Sequence, residues 1–181
     1  MPLLVYFTLF VNDIKTKNLS FVLGENMNNL KLVTLTPNYA DKYISLIKKE
    51  TSSKISDYAT GFLVKNEKEF CNLLEEYNNR GSRILGILDQ KESLIGAIAL
   101  ENLFLGDTYE VAFFIGQQYR GNHYASQALA LLIQKLKNTQ IKNLAFIISS
   151  NNKTSLNIVK LLGAKFDHFY EDTEEVHKLE I

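Results

Sequence analysis

The chain has one cysteine, Cys71, and that scarcity excludes several classes of protein. No internal disulfide can form, so this is not a small cystine-stapled scaffold. No pair of cysteines and no close His/Cys cluster has the spacing of a zinc site, and no metal is expected. Excess charge is also missing: twenty basic and twenty acidic side chains cancel. That balance removes the usual electrostatic reason to expect a nucleic acid or an anionic membrane as partner. The apolar opening MPLLVYFTLFV lacks a basic leader and a small-residue cleavage pattern. It stops at Asn12 and Asp13, well short of the roughly 18 to 20 apolar residues that a membrane-crossing helix needs. A reducing compartment, the cytoplasm, is the expected location.

Linkers, repeats and low-complexity tracts are absent as well, so the 181 residues, 46% of them hydrophobic, are expected to form one domain with a substantial core. The boundary is placed at residue 27, with residues 1–26 as an N-terminal extension or added strand. The run LKLVTL alternates like a half-buried strand, and Thr36-Pro37 offers a cap and a first-turn proline for a helix to about Lys49. Residues 51–66 lack clean periodicity and suit an irregular segment or a short helix. A second helix is expected from about Glu67 to Tyr77, with Phe70, Leu73, Leu74 and Tyr77 on one side and Cys71 packing beside them. A nucleophilic role for Cys71 would need a partnered base that the sequence does not advertise.

The runs RILGILD, LIGAIALENL and TYEVAFFIG, separated by short polar breaks, predict an antiparallel meander. A helix over 123–138 then leads to NLAFIIS, whose continuous apolar run predicts a strand buried on both faces. Asn152 to Leu162 reads as a further helix, closed by Gly163 where a left-handed residue is wanted. AKFDHFYE and EVHKLEI are the last strands, with His168 and His177 as surface or pairing residues.

The junction FFIGQQYRGNHYASQALALLIQKLK matters most for function. A strand entering a helix through a compact turn aims several backbone N–H groups at one point, where the positive end of the helix dipole adds to them. Such a point suits phosphate. Arg120 could add a charge-assisted contact, and Gly121 would permit close approach.

The stretch EVAFFIGQQYRGNHYASQAL, residues 110–129, resembles the fourth strand, phosphate loop and third helix of the GCN5-related N-acetyltransferases (GNAT), in particular their ribosomal-protein N-terminal acetyltransferase branch. The family signature [QR]-x-x-G-x-[GA] falls on Arg120, Gly121, Asn122, His123, Tyr124 and Ala125, and His123 stands where the family usually has glycine. The stretch NNKTSLNIVKLLGAKF is similar to the family's N-x-x-S-x-x-V-x-x-x-L-G block, with Asn152 and Ser155 on its polar positions. The resemblance runs from Leu30 to Ile181.

The resemblance implies an α/β (α+β) fold: a mixed, mostly antiparallel sheet splayed between its fourth and fifth strands, flanked by about four helices. Acetyl-CoA, as co-substrate, would enter that gap. Pantetheine would pair with the backbone at Phe113, Phe114 and Ile115, the pyrophosphate would rest on amides from Gly121 to Ser126, and Asn152 would hold the pantetheine arm. Acyl transfer to an amine needs a base, an oxyanion donor and a proton for the departing thiolate. Glu110 is nominated as base, with Glu101 and Asp107 as competitors. The position matching the tyrosine of many GNAT enzymes is Val159, which nominates Ser155 for the thiolate; its hydroxyl could equally satisfy helix amides.

The expected activity is acetyl transfer to a primary amine, with a protein or peptide N-terminus preferred over a small amine. The alternative is an inactive acyl-CoA-binding or regulatory module, kept open by His123 and Val159. A homodimer is compatible with either.

Overall fold

The computed structural model describes residues 30–50, 62–102 and 106–181. The expectation for residues 1–26, and most of that for residues 51–66, lies outside them. The strands in chain order are β1 (Lys31–Thr34), β2 (Arg83–Leu88), β3 (Leu94–Glu101), β4 (Thr108–Ile115), β5 (Asn143–Ser149), β6 (Lys165–Tyr170) and β7 (Glu174–Glu180). The helices are α1 (Ala40–Glu50), α2 (Glu67–Asn79), α3 (Tyr124–Leu136) and α4 (Lys153–Leu161). The strands form one sheet in the order β1-β2-β3-β4-β5-β7-β6. All neighbours are antiparallel except β4 and β5, which run parallel.

Two cores sit on opposite faces of the sheet. On one face α3 and α4 bury Leu129, Leu132, Leu156 and Val159 against Ile98, Val111, Leu144 and Phe146. On the other, α1 and α2 bury Tyr43, Ile47, Phe70 and Tyr77 against Ile84, Ala97, Ala99 and Phe114. Strand alternation sorts the residues, since successive side chains of β4 point to opposite faces. Phe114 therefore meets the Tyr43 ring edge-on at 6.3 Å while Val111 enters the other core.

Local signals explain where the helices begin and end. Asn66 accepts from the Glu69 amide at 2.9 Å, and Glu69 accepts in return from the Asn66 side chain and the Lys65 amide, both at 2.8 Å. This reciprocal cap occupies two N–H groups at the start of α2 that have no intrahelical partner. Gly163, with φ of 97°, follows α4 in the left-handed region, as the sequence predicts.

Three expectations need correction. Thr36 makes no side-chain cap bond; a 3-10 turn, Pro37–Tyr39, precedes α1, and the Tyr39 amide bonds the Thr36 carbonyl instead. Strand β5 is not buried on both faces throughout, because Ile147 and Ser149 are only half-buried on the side that no described helix covers. Of the two readings of His177, pairing holds and surface does not: it is paired with Phe146 on β5 and Phe166 on β6. It is fully buried and bonds Glu175 through Nε2 at 2.8 Å, which holds the Glu175 carboxyl below its usual range, and its ring lies edge-on to Phe166.

The α2 cap is directly testable. Asn66→Ala should lower unfolding free energy by about 1 kcal/mol, while Asn66→Asp should retain most of it, as read by urea denaturation.

Candidate active site

Strands β4 and β5 pair only through Thr108–Asn143, Tyr109–Leu144 and Glu110–Ala145. Beyond Glu110 they diverge, whereas β4 continues to pair with β3 as far as Ile115. The Gly116 amide donates to the Ile95 carbonyl at 2.8 Å, which fixes which main-chain groups face β3. By alternation the N–H and C=O groups of Phe114 also face β3, and those of Phe113 and Ile115 face the gap. The Ile115 carbonyl accepts from Arg120 Nε at 2.8 Å. Phe113 is thus the residue of Phe113, Phe114 and Ile115 best placed to offer an extended ligand both a donor and an acceptor.

The turn after β4 rises from a 3-10 segment, Gln117–Tyr119, into α3. Gly121 has φ of 79°, and a Cβ there would meet nothing within 4 Å. His123 has φ of 58° and ψ of 16°, so an L side chain occupies a left-handed position where glycine is favoured, at a cost of roughly 1 to 2 kcal/mol. Asn122 braces the turn by donating to the carbonyls of Tyr119 and Arg120, both at 3.1 Å.

No side chain caps α3. The first bond of the helix runs from the Gln127 amide to the His123 carbonyl, which also accepts from the buried Ser126 hydroxyl at 2.9 Å. The amides of Tyr124, Ala125 and Ser126 therefore begin the helix without intrahelical acceptors. A diphosphate fits this start of α3 chemically, as an anion meeting N–H donors at the positive end of the dipole.

Across the gap, Asn152 caps α4. Its Oδ1 accepts from the Ser155 amide at 3.1 Å, which leaves the Nδ2 group as the donor available to a ligand. The cap bond is made by Asn152 onto Ser155, not by the Ser155 hydroxyl, which is half-buried. Val159 is fully buried in the α3/α4 core. No hydroxyl can be supplied from that position.

Glu110 stands at the last paired position before the strands part. It is half-buried, directly opposite Glu101 on β3, and Glu174 at the start of β7 is close enough to act on it. Burial, then the charges of Glu101 and Glu174, push its carboxyl up to about 7. Of the two competitors, Glu101 accepts from the Tyr77 hydroxyl at 2.5 Å, and the Asp107 carboxylate accepts from the Thr108 hydroxyl at 3.4 Å and the Asn143 side-chain amide at 3.5 Å. Tyr77 packs in the core, as its place on the apolar side of α2 predicts, and its hydroxyl reaches out of that core to Glu101.

Among the described residues no group of three or more His, Cys, Asp or Glu side chains could hold a metal ion, and no helix is long and apolar enough to cross a membrane.

The family model described as acetyltransferase (GNAT) domain matches residues 29–165, and the chain belongs to that family of acyl-CoA-dependent N-acetyltransferases. Acetyl-CoA is the donor typical of the family and an amine is the acceptor. No curated protein matches the chain. Solved structures similar to it include the microcin C7 self-immunity acetyltransferase MccE in complex with acetyl-CoA and AMP, at 18% identity and a TM-score of 0.71 over 84% of this chain and 93% of that one. The ribosomal L7/L12 alpha-N-protein acetyltransferase RimL, in complex with coenzyme A, is 12% identical, with a TM-score of 0.71 over 84% and 94%. A spermidine N-acetyltransferase of Vibrio cholerae is 13% identical, with a TM-score of 0.67 over 84% and 94%. At such identities the likeness extends to the fold.

A raised carboxyl carries a stability consequence. A group with a folded-state value near 7 and an unfolded value near 4.5 destabilises the fold progressively as pH rises through that window. Glu110→Gln, a neutral isostere, should therefore leave stability at pH 4 nearly unchanged and raise it at pH 8 by on the order of 1 kcal/mol, discounted for the solvent that still reaches the group. Thermal melts across that range measure it.

Proposed function

We propose that this chain acetylates a primary amine, with a peptide or protein N-terminus as its preferred acceptor, and that Glu110 is the base. The observation that carries the reading is the coincidence of Glu110, a half-buried carboxyl raised to about 7, with the point where β4 and β5 part. A general base is most useful when its proton affinity lies near the working pH.

Acetyl-CoA supplies an acyl carbon activated by its thioester. The pantetheine arm is assigned to the main chain of Phe113 and to the Asn152 side-chain amide. The diphosphate is assigned to the turn Arg120, Gly121, Asn122 and His123 and to the amides of Tyr124, Ala125 and Ser126. Arg120 is held by its bond to the Ile115 carbonyl, so it joins the turn to the end of β4 as well as contributing charge.

An acceptor amine arrives mostly protonated near neutrality. Glu110, once ionised, accepts that proton, and the free lone pair attacks the acyl carbon. The carbon–nitrogen bond forms, and as the carbon–sulfur bond breaks the nitrogen sheds its second proton, which is relayed to the departing sulfur by the Ser155 hydroxyl, giving one proton and taking the other; Glu110 then returns its own proton to solvent. Main-chain amides facing the gap are the available oxyanion donors, which are worth most in a site shielded from water.

The preference for a chain terminus over a small amine rests on branch similarity, and the local charge suits either kind of cationic amine. Glu101, Glu110 and Glu174 attract the terminal ammonium. Similarity to the branch that acetylates ribosomal-protein N-termini favours the same acceptor.

Thiol release, followed across a panel of N-terminal peptides and of polyamines, tests the proposal. Peptides should give the higher kcat/KM, whose acid limb should fall tenfold per pH unit below about 7, and Glu110→Gln should lower it by roughly 100-fold or more. In calorimetry, Arg120→Ala should weaken acetyl-CoA binding by about tenfold, and His123→Gly should retain or strengthen it while raising stability by roughly 1 kcal/mol. No binding at millimolar acetyl-CoA would reject the assignment outright, and selective turnover of polyamines would overturn the acceptor preference.

A further inference from the structure

Two carboxylates, Glu101 on β3 and Glu110 on β4, face each other at one cross-strand position, and nothing in the sequence says which of them should hold a proton. Directly opposed side chains have Cβ atoms roughly 5 Å apart, so two full charges there repel. Such a pair takes up a proton as a unit, and its surroundings decide where that proton resides.

The surroundings are asymmetric. The Tyr77 hydroxyl, carried on the last turn of α2, donates to Glu101 Oε1 at 2.5 Å. No donor is bonded to the Glu110 carboxyl among the described residues. A phenol is a donor to a carboxylate, and a charge-assisted bond of that length favours the ionised acceptor. Burial and its contact with Glu101 hold the Tyr77 hydroxyl well above its ordinary range, so it keeps its proton and stays a donor. Its ring is fixed by the core beneath: Tyr77 is 6% exposed and packs with Phe70, Leu74 and Ile84, and the Arg80 guanidinium lies over it at 5.4 Å from the ring centroid.

We propose that Tyr77 is a positioning residue for acetyl transfer: by donating to Glu101 it occupies and orients that carboxylate, so that Glu110, opposite it and without a bonded donor among the described residues, is the member of the pair that exchanges a proton with the substrate. This rests on the reading of Glu110 as base but goes further, because it explains why that carboxyl and not its cross-strand neighbour does the work. The groups acting on Glu110 come from every side. Glu101 faces it from β3, Glu174 from β7 and Tyr77 from α2 with Arg80 beside it, while β5 contributes only Ala145 opposite. Burial first, and then the two carboxylate neighbours Glu101 and Glu174, raise the proton affinity of Glu110.

The test reads the carboxyls themselves. Carbon-13 NMR titration of glutamate side chains, assigned through Glu101→Gln and Glu110→Gln, reports each site without reference to turnover. In the parent protein the transition near pH 7 should belong to Glu110. In Tyr77→Phe, which keeps the packed ring, the pair should share the proton, and the Glu110 midpoint should fall by about one pH unit, the size expected for the loss of one charge-assisted bond. The acid limb of kcat/KM should follow it downward. Glu101→Gln keeps an acceptor for Tyr77 but removes the opposing charge, and should also lower the Glu110 midpoint. An unchanged Glu110 titration in Tyr77→Phe, with the variant folded by its melt, would overturn the role of Tyr77 and leave the base reading standing. Full activity in Glu110→Gln would sink the base reading, and with it the catalytic meaning of the bond, even where the titrations behave as described.

Discussion

Three residue pairs join β4 to β5, and the gap beyond them is the constraint on which the rest of the site depends. A sheet that stayed paired would satisfy the main chain of Phe113 and Ile115 internally and leave no room for a ligand. A sheet that never paired would lose the parallel contact holding its two halves in one body. The compromise is held by packing, since each half is secured on its own: β4 by β3 from Glu110 to Ile115, and β5 by β7 from Asn143 to Ser149. Helix α3 lies across one face and ties both halves into a single core through Leu129, Leu132 and Leu136. Unpaired main chain at the centre of a sheet is costly unless something bonds it, and here that role falls to solvent or substrate.

The same economy governs the turn into α3. Most helices satisfy their first amides with a side chain, as α2 does through Asn66. Helix α3 does not, and its first residue positions are reached through left-handed backbone at Gly121 and His123. A histidine held there is strained, and neither its ring nor any other side chain caps the helix. Strain and unfilled donors at one place are the signs of a site shaped for a ligand more than for stability. The Ser126 hydroxyl turns inward to the His123 carbonyl and leaves the amides above it clear.

Much of this was legible in the residues. Strand-like runs parted by short polar breaks predicted the meander of β2, β3 and β4, and the polar turn at Gly121 followed by helical spacing predicted where α3 begins. The closing Gly163 was readable because its chemistry is local. What escaped was non-local. Thr36 looked like a cap, yet the chain enters α1 through a 3-10 turn that leaves its hydroxyl unused. The run NLAFIIS looked buried on both sides because apolar residues fill it, but Ile147 and Ser149 lie where no described helix covers the sheet. His177 read as a surface or pairing residue, since nothing in its neighbours reveals that Phe166 and Phe146 from two other strands enclose it. The bond from Tyr77 to Glu101 joins residues 24 apart in the chain, beyond the reach of any local pattern.

Why the acid chemistry should lie at Glu110 follows from the same geometry. On the α1/α2 face, β3 and β4 present matched pairs in a row: Ala97 with Phe114, Ala99 with Ala112, then Glu101 with Glu110. The first two pairs are apolar and covered by helices. The third lies where the cover ends and the strands begin to part. Further in, a carboxylate would be buried without solvent or partner, at a cost that would keep it protonated at any useful pH. Further out, it would be an ordinary surface acid, ionised and weakly basic. At the boundary, burial raises the proton affinity into the neutral range while the gap still gives a substrate proton a way in. For the base proposed at Glu110, the position of the pair at the end of the apolar row would set both its strength and its access to the amine. The hydroxyl that bonds Glu101 from α2 comes from a residue whose ring packs in the core, so under the proposed role of Tyr77 one side chain would serve both the packing of that face and the proton affinity in the gap.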